Sequence, residues 1–244
     1  MKSSRSTFHS IQGSHYGFSA TRIEDLGAAE YTLVAIAADT SGSVANFLAD
    51  IAHCMKEVVS ACQHSPRAHN LMLRTTVFEN AVDELHGFIP LPNCHPDDYR
   101  KGLHAGGSTA LYDATHNAVE AVVRYGKDLV DHDFEVNAIV FVITDGMDNA
   151  SHLSAADVKA ALERAVQSEA LESVISVLVG VNIQAADVSR YLRELRTDAG
   201  FTQYVEIGQA NASALAKLAA FVSRSISAQS QALGSGRASQ SLTF

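Results

Sequence analysis

The chain has 244 residues, of which 47% are hydrophobic and 18% are charged. This is enough apolar material for a full core and too much for a disordered chain. Its 18 Lys and Arg against 27 Asp and Glu give a formal net charge of −9, and no basic stripe runs along it. We therefore expect no binding driven by the phosphate backbone of nucleic acid. An acidic surface suits a cation, or a partner with basic patches.

The first half of the chain predicts three strands and one helix. Residues 31–38 are almost continuously apolar, which is typical of a strand covered on both faces. Apolar residues at helical spacing follow from Val44 to Cys62. Residues 71–79 and 81–88 then predict two paired strands that are hinged at Glu79-Asn80.

The second half alternates helices with further strands. Apolar spacing from Leu111 to Tyr125 predicts a helix, and residues 138–144 predict a second strongly buried strand. Ser154 and Asp157 form a capping-box pattern that opens a helix through about Glu169. The remaining predicted elements are a strand at 174–181, a helix from Val188 to a left-handed cap at Gly200, a strand at 204–207 and a helix capped by Asn211.

This alternation predicts an α/β fold in which helices cover both faces of one mostly parallel sheet. We assign residues 29–228 to a single domain. Residues 1–28 are expected to form a partly disordered extension, and residues 229–244 a flexible tail rich in Ser, Gln and Gly. In such sheets ligands bind outside the carboxyl ends of the strands, so the loops that leave the apolar strands are the ones to inspect.

The cysteines and the apolar runs predict the cellular setting. Cys54, Cys62 and Cys94 form no CxxC pair and are odd in number, which suits a reducing compartment, with Cys54 and Cys62 as small buried residues of a helix. The N-terminus lacks the apolar core of a signal peptide. No apolar run approaches the ~20 residues that cross a bilayer. We therefore expect a cytoplasmic protein.

The loop after the first buried strand carries three hard oxygen groups. Asp39, Ser41 and Ser43 lie at positions i, i+2 and i+4, and a curled turn would let them converge on one point. Hydroxyl and carboxylate oxygens are the ligands that a Mg²⁺-type ion prefers. The alternative is that Asp39 only ends the strand and Ser43 only caps the following helix.

Two further loops carry weaker signals of the same kind. Asp145-Gly146 follows the second buried strand, although Asp, Gly and Asn are also ordinary turn residues. Ser108 and Thr109 follow Gly106-Gly107 and lead into a helix. They either cap that helix or add a hydroxyl to a metal, and the loop lacks the lysine of a phosphate-binding P-loop.

Taken together, the three loops resemble the metal-ion-dependent adhesion site of von Willebrand factor A domains. Asp39, Ser41 and Ser43 match the DxSxS motif of that family, and Asp145 matches its TDG motif. Thr109 matches its separate loop threonine, with Ser108 as the alternative one residue earlier. The resemblance covers about residues 29–228.

The resemblance implies a Rossmann-like three-layer α/β/α fold with one antiparallel edge strand, from 81–88. It also implies a Mg²⁺ or Mn²⁺ ion bound directly by Ser41, Ser43 and Thr109. Asp39 and Asp145 would act mainly through water. Neutral hydroxyl ligands leave such an ion electrophilic, so an open position favours a carboxylate that a partner protein supplies.

The expected function is therefore a metal-dependent adaptor or scaffold, and not an enzyme. The resemblance further implies a bacterial protein whose partner is an AAA+ ATPase or a stress-response assembly. The acidic composition and the short apolar runs predict no partner among nucleic acids or membranes. Eleven scattered histidines form no HExxH pattern, so they are expected at the surface or in satisfied contacts. His104 and Asp148 lie near the expected rim of the site.

Two other functions stay open. A haloacid-dehalogenase-type phosphatase also places an Asp after its first strand and uses Mg²⁺, but it needs a second acid two residues later, where this chain has Ser41. The other alternative is the same fold without a functional metal.

Overall fold

The computed structural model describes residues 5–100 and 103–244, which form one eight-stranded sheet with helices on both faces. Its strands are β1 (Ser6–Ser10), β2 (Gly17–Thr21), β3 (Glu30–Asp39), β4 (Leu71–Phe78), β5 (Val82–Pro90), β6 (Glu135–Thr144), β7 (Val174–Val181) and β8 (Gln203–Ile207). Its α-helices are α1 (Leu48–Gln63), α2 (Leu111–Val130), α3 (Ala155–Gln167), α4 (Ala186–Ala199) and α5 (Ala212–Gly234).

The strand order is β1-β2-β5-β4-β3-β6-β7-β8. From β4 to β8 all neighbours in this order are parallel, and β5 pairs antiparallel with β4. The predicted fold class is therefore confirmed, including the antiparallel strand at the end of the parallel block. Beyond β5, the hairpin of β1 and β2 continues the sheet through the pair Ala20 and Phe88.

Each face of the sheet has its own apolar core. On β3, Leu33, Ala35 and Ala37 belong to the core that α2, α3 and α4 cover. The alternate residues of the same strand, such as Val34 and Ile36, belong to the core that α1 and α5 cover. Successive side chains of a strand point to opposite faces, so a strand that is covered on both sides must be apolar at nearly every position.

The predicted helix ends are confirmed where a capping residue marks them. Ser154 and Asp157 form the capping box at the start of α3, and the Asn211 side chain accepts a hydrogen bond from the Ala214 N–H at the start of α5. Gly200 ends α4 with a φ of 83°, the left-handed conformation that glycine adopts without steric cost.

The N-terminal segment is more ordered than its composition suggests. We expected residues 1–28 to be partly disordered, but β1 and β2 form a hairpin within it and Phe18 is fully buried. The buried Arg74 on β4 donates to the Gly17 carbonyl, and Glu84 accepts from the Ser19 N–H at 3.0 Å. These contacts join the hairpin to residues that are far away in sequence, which local composition cannot reveal.

The C-terminal segment also departs from the expectation of a flexible tail over 229–244. Helix α5 continues to Gly234, and the buried Gln229 side chain donates to the Ala138 carbonyl and to the Ser173 hydroxyl. Further along, the Ser239 hydroxyl lies 2.6 Å from that of Ser173. Gln229 and Ser239, two polar residues of this segment, thus contact the sheet at Ala138 and the residue before β7, Ser173.

Among the described residues, no helix combines the length and the apolar character that crossing a membrane requires.

Candidate metal centre

Asp39 lies at the base of the site because β3 ends there, between β4 and β6. Its side chain is fully buried. One carboxylate oxygen accepts a hydrogen bond from the Ser41 N–H at 2.8 Å, and the other accepts from the Thr144 hydroxyl at 2.7 Å. Burial raises the pKa of this carboxyl to about 6, although both hydrogen bonds act in the opposite direction. Asp39 is therefore held in one position below the surface.

Ser41, Ser43 and Asp145 form a continuous chain of oxygens above Asp39. The hydroxyls of Ser41 and Ser43 are 3.1 Å apart, and the Ser43 hydroxyl donates to an Asp145 carboxylate oxygen at 2.7 Å. Ser41 is buried and Ser43 is exposed, so the chain leads from the protein interior to solvent. Burial raises the pKa of Asp145, and the hydrogen bond from Ser43 opposes that shift.

The third predicted loop lies against the first. The Gly106 N–H donates to the Thr40 carbonyl at 3.0 Å, and the Gly42 N–H donates to the Gly107 carbonyl at 3.2 Å. Gly107 has a φ of +66°, and a Cβ there would lie 2.6 Å from a carboxylate oxygen of Glu79. Glycine is required at this position because the chain turns in the left-handed region directly against the β4–β5 turn.

Thr109 and Ser108 lie against different neighbours. The buried Thr109 places its hydroxyl 3.9 Å from the position that a Cβ on Gly146 would occupy, so it adjoins the Asp145 loop. The Ser108 N–H instead donates to the Asn80 side chain at 2.9 Å, on the β4–β5 turn. Thr109 therefore stays the candidate ligand, with Ser108 as the alternative.

The chemistry of these groups fits a hard divalent cation. Within residues 5–100 and 103–244, no group of three or more His, Cys, Asp or Glu side chains is arranged to hold a metal. A metal site here therefore depends on hydroxyl oxygens. Ser41, Ser43, Thr109 and Asp145 come from three loops at one edge of the sheet and supply oxygen ligands only, which is the set that Mg²⁺ or Mn²⁺ prefers.

Several residues around the site have roles that the sequence did not reveal. The Thr144 hydroxyl donates to the Asp39 carboxylate. Thr144 directly precedes Asp145 in the sequence, and this position was the signal that could have indicated its role. Asp113 is buried and accepts hydrogen bonds from the N–H groups of His152 and Leu153, at 3.2 and 2.9 Å. It thus holds the loop after Asp145. His104 is exposed.

No family model matches the chain, and no curated protein matches it. Several solved structures resemble it. A D319A mutant of the PilB minor pilin from Streptococcus sanguinis has a TM-score of 0.61 at 13% identity, over 90% of this chain and 66% of that one. The open conformation of the pilus adhesin SpaC from Lactobacillus rhamnosus GG has a TM-score of 0.59 at 10% identity, over 91% of this chain and 33% of that one.

A third similar structure carries a metal. Proximal thread matrix protein 1 from the mussel byssus, with a zinc-occupied MIDAS motif, has a TM-score of 0.55 at 19% identity, over 80% of this chain and 46% of that one. This chain therefore has a von Willebrand factor A-like fold. It spans no more than about two thirds of any of the three similar chains, and identities this low carry the fold alone.

Proposed function

We propose that this protein is a metal-dependent protein-binding module. The observation that carries the proposal is the chain of oxygens from Ser41 through Ser43 to Asp145, which runs from the interior to solvent above a buried carboxylate. Ser41, Ser43 and Thr109 would hold the ion directly. Asp39 and Asp145 would hold it mainly through water.

The charge of this ligand set favours binding over catalysis. Three neutral hydroxyls leave the positive charge of a bound ion largely uncompensated, so the ion attracts a further anionic ligand. Mg²⁺ keeps part of its shell open to water or to a ligand from outside the protein. The exposure of Ser43 gives such a ligand access from solvent. The partner we propose is another protein that supplies an acidic residue.

The identity of the ion follows from the ligand atoms. The similar mussel protein has zinc in its MIDAS motif, which supports a divalent ion. Zinc sites are usually built from thiolate and imidazole, whereas hydroxyl and carboxylate oxygens suit Mg²⁺ and Mn²⁺. We therefore propose Mg²⁺ or Mn²⁺ for this chain.

The finer predictions about the partner rest on the sequence resemblance alone. An AAA+ ATPase or a stress-response assembly, in the bacterial cytoplasm, stays the proposed setting. Two of the similar structures are pilus proteins, so a location at the cell surface is the competing proposal.

We also propose that the protein is not an enzyme. A phosphatase that uses Asp39 as its nucleophile would need a second acid to protonate the leaving group, and position 41 is a serine. The same metal-loaded protein, assayed with a generic phosphate ester, should show no turnover. Metal-dependent turnover that disappears in Asp39→Ala would refute the adaptor function.

The main test is calorimetric titration of Mg²⁺, Mn²⁺ and Zn²⁺ into the metal-stripped protein. We expect saturable 1:1 binding of Mg²⁺ and Mn²⁺, and no binding to a Ser41→Ala/Ser43→Ala variant. The matched control is Ser6→Ala/Ser10→Ala, which removes two exposed hydroxyls from β1. The proposed site is wrong if the wild-type protein binds none of these ions, or if the Ser41/Ser43 variant binds them as well as the control does.

A further inference from the structure

We propose that Asn149 is a positioning residue, which sets the place of the Thr109 hydroxyl at the metal centre. This inference rests on the proposed function, because it assigns a task to a residue that lies outside the ligand set. Its consequence is that the positions of Thr109 and Asp145 depend on each other, although the two residues come from different loops.

Three hydrogen bonds join Thr109 to the segment that follows Asp145. The Thr109 N–H donates to the Asn149 side-chain oxygen at 2.7 Å. In the reverse direction, the N–H groups of Asn149 and Ala150 donate to the Thr109 carbonyl at 3.0 and 3.2 Å. The backbone N–H and carbonyl of Thr109 are thus both satisfied by two adjacent residues, the nearer of which lies 40 positions away in sequence.

The segment that holds Thr109 is itself fixed to the start of α2. One Asp148 carboxylate oxygen accepts from the Tyr112 N–H at 3.1 Å and from the Ser151 hydroxyl at 2.5 Å. The Asp148 N–H donates to the Tyr191 hydroxyl at 3.2 Å. The hydrogen bonds of Asp148 therefore also restrict the position of Asn149, the next residue in the chain.

The Thr109 hydroxyl lies close to the Asp145 loop. It lies 3.9 Å from the Cβ position of Gly146, the residue next to Asp145. Residues that orient metal ligands typically contribute 10–100-fold to metal affinity. Of the three hydrogen bonds between these two loops, the one to the Asn149 side chain is the bond that a substitution can remove, so we assign that contribution to it.

Asn149 can be changed without disturbing the core, because its side chain is exposed. Asn149→Ala removes the acceptor for the Thr109 N–H, whereas Asn149→Asp keeps an oxygen acceptor in the same place. Asn211→Ala is the matched control. It removes the same kind of bond, from an asparagine oxygen to a backbone N–H, at the start of α5.

The experiment measures three quantities for the wild-type protein and these variants. They are the hydrogen-exchange rate of the Thr109 amide in the metal-free protein by NMR, the Mg²⁺ affinity by calorimetry, and the thermal midpoint. For Asn149→Ala we expect faster exchange at Thr109 and about 10–100-fold weaker Mg²⁺ binding. Asn149→Asp should restore both, and Asn211→Ala should lower the thermal midpoint and leave the Mg²⁺ affinity unchanged.

Two results would overturn the inference while the proposed function stands. One is wild-type Mg²⁺ affinity in Asn149→Ala. The other is weaker binding in Asn149→Ala that Asn149→Asp does not restore. If the wild-type protein shows a protected Thr109 amide but binds no Mg²⁺, the proposed function fails and the inference falls with it.

Discussion

Two buried charged groups in this protein are stabilised in opposite ways. Asp39 lies under the candidate metal centre, and its carboxylate accepts hydrogen bonds from the neutral donors Ser41 and Thr144. Arg74 lies on the neighbouring strand β4, and its guanidinium donates to the Glu84 carboxylate at 2.7 Å and to Asn117 at 2.8 Å. Both side chains are almost completely excluded from solvent.

The difference lies in how each buried charge is compensated. A buried ion is costly unless an opposite charge compensates it. Arg74 has its counter-ion in Glu84 and uses the pair to hold the N-terminal hairpin. Asp39 forms no ion pair with a cationic side chain among the described residues. Burial raises the pKa of its carboxyl, and the nearby Asp145 charge adds to that shift. The compensation that Asp39 lacks is what a bound cation would supply.

The largest effect is expected from Arg74→Met, which leaves Glu84 and Asn117 without their partner. Removing one member of a buried ion pair typically costs about 3–5 kcal/mol, and we expect a loss in that range in urea unfolding. Arg124→Ala is the control, because it breaks an exposed ion pair with Asp128 at 3.7 Å, for which a loss below about 1 kcal/mol is expected. Equal losses in the two variants would contradict a structural role for Arg74.

Gly107→Ala tests how tightly the loops of the metal centre are packed. The added Cβ would overlap the Asn80 side chain and approach Glu79, in a backbone conformation with a φ of +66°. We expect a loss of about 2–3 kcal/mol in unfolding free energy, together with weaker Mg²⁺ binding. Gly13→Ala separates the cost of the positive φ from the cost of the steric overlap. Gly13 also has a positive φ but no atom within 4 Å of its Cβ position, so that variant should lose only about 1 kcal/mol.

Asp39→Asn should change stability the least of these three variants, and it should stabilise the protein, whereas the other two destabilise it. In the metal-free protein the raised pKa of Asp39 means that the folded state holds a proton which the unfolded state releases between about pH 4 and 6. Wild-type stability should therefore fall as the pH rises through that window. The variant should lose the part of this fall that Asp39 causes and keep the part that the raised pKa of Asp145 causes. It should be more stable by about 1–2 kcal/mol at pH 7 and bind no Mg²⁺.

Urea unfolding of Asp39→Asn across this pH range checks that sign. The control is Asp198→Asn, which removes one negative charge from an exposed position of α4. A variant that is less stable than the wild-type protein at pH 7 in the absence of metal would contradict the idea that Asp39 is an uncompensated charge.

The strands β3 to β8 and most helix ends were predictable from the sequence because their causes are local. Residues 174–181 were placed correctly because nearly continuous apolar character marks a strand that is covered on both faces. The ends at Ser154 and Gly200 were found because a capping residue acts within three or four positions of itself. The DxSxS and TDG patterns likewise marked the loops that the structure brings together.

The contacts that could not be predicted join distant segments. An arginine in the apolar strand β4 was visible, but its partners Gly17 and Asn117 are 57 and 43 positions away. The hairpin that Arg74 holds therefore had the composition of a loose end. The neighbours of Ser108 and Thr109, which are Asn80 and Gly146, likewise lie on other loops.

The sequence by itself determined the α/β alternation, the capped helix ends and the residue types of the candidate metal centre. These depend on periodicity and on hydrogen bonds within a few residues. Only the tertiary structure decided that the N-terminal hairpin joins the sheet and that Asn149 holds Thr109. Those contacts exist because parallel strands bring distant loops to one edge of the sheet, and pairing across such separations is set by the packing of the whole domain.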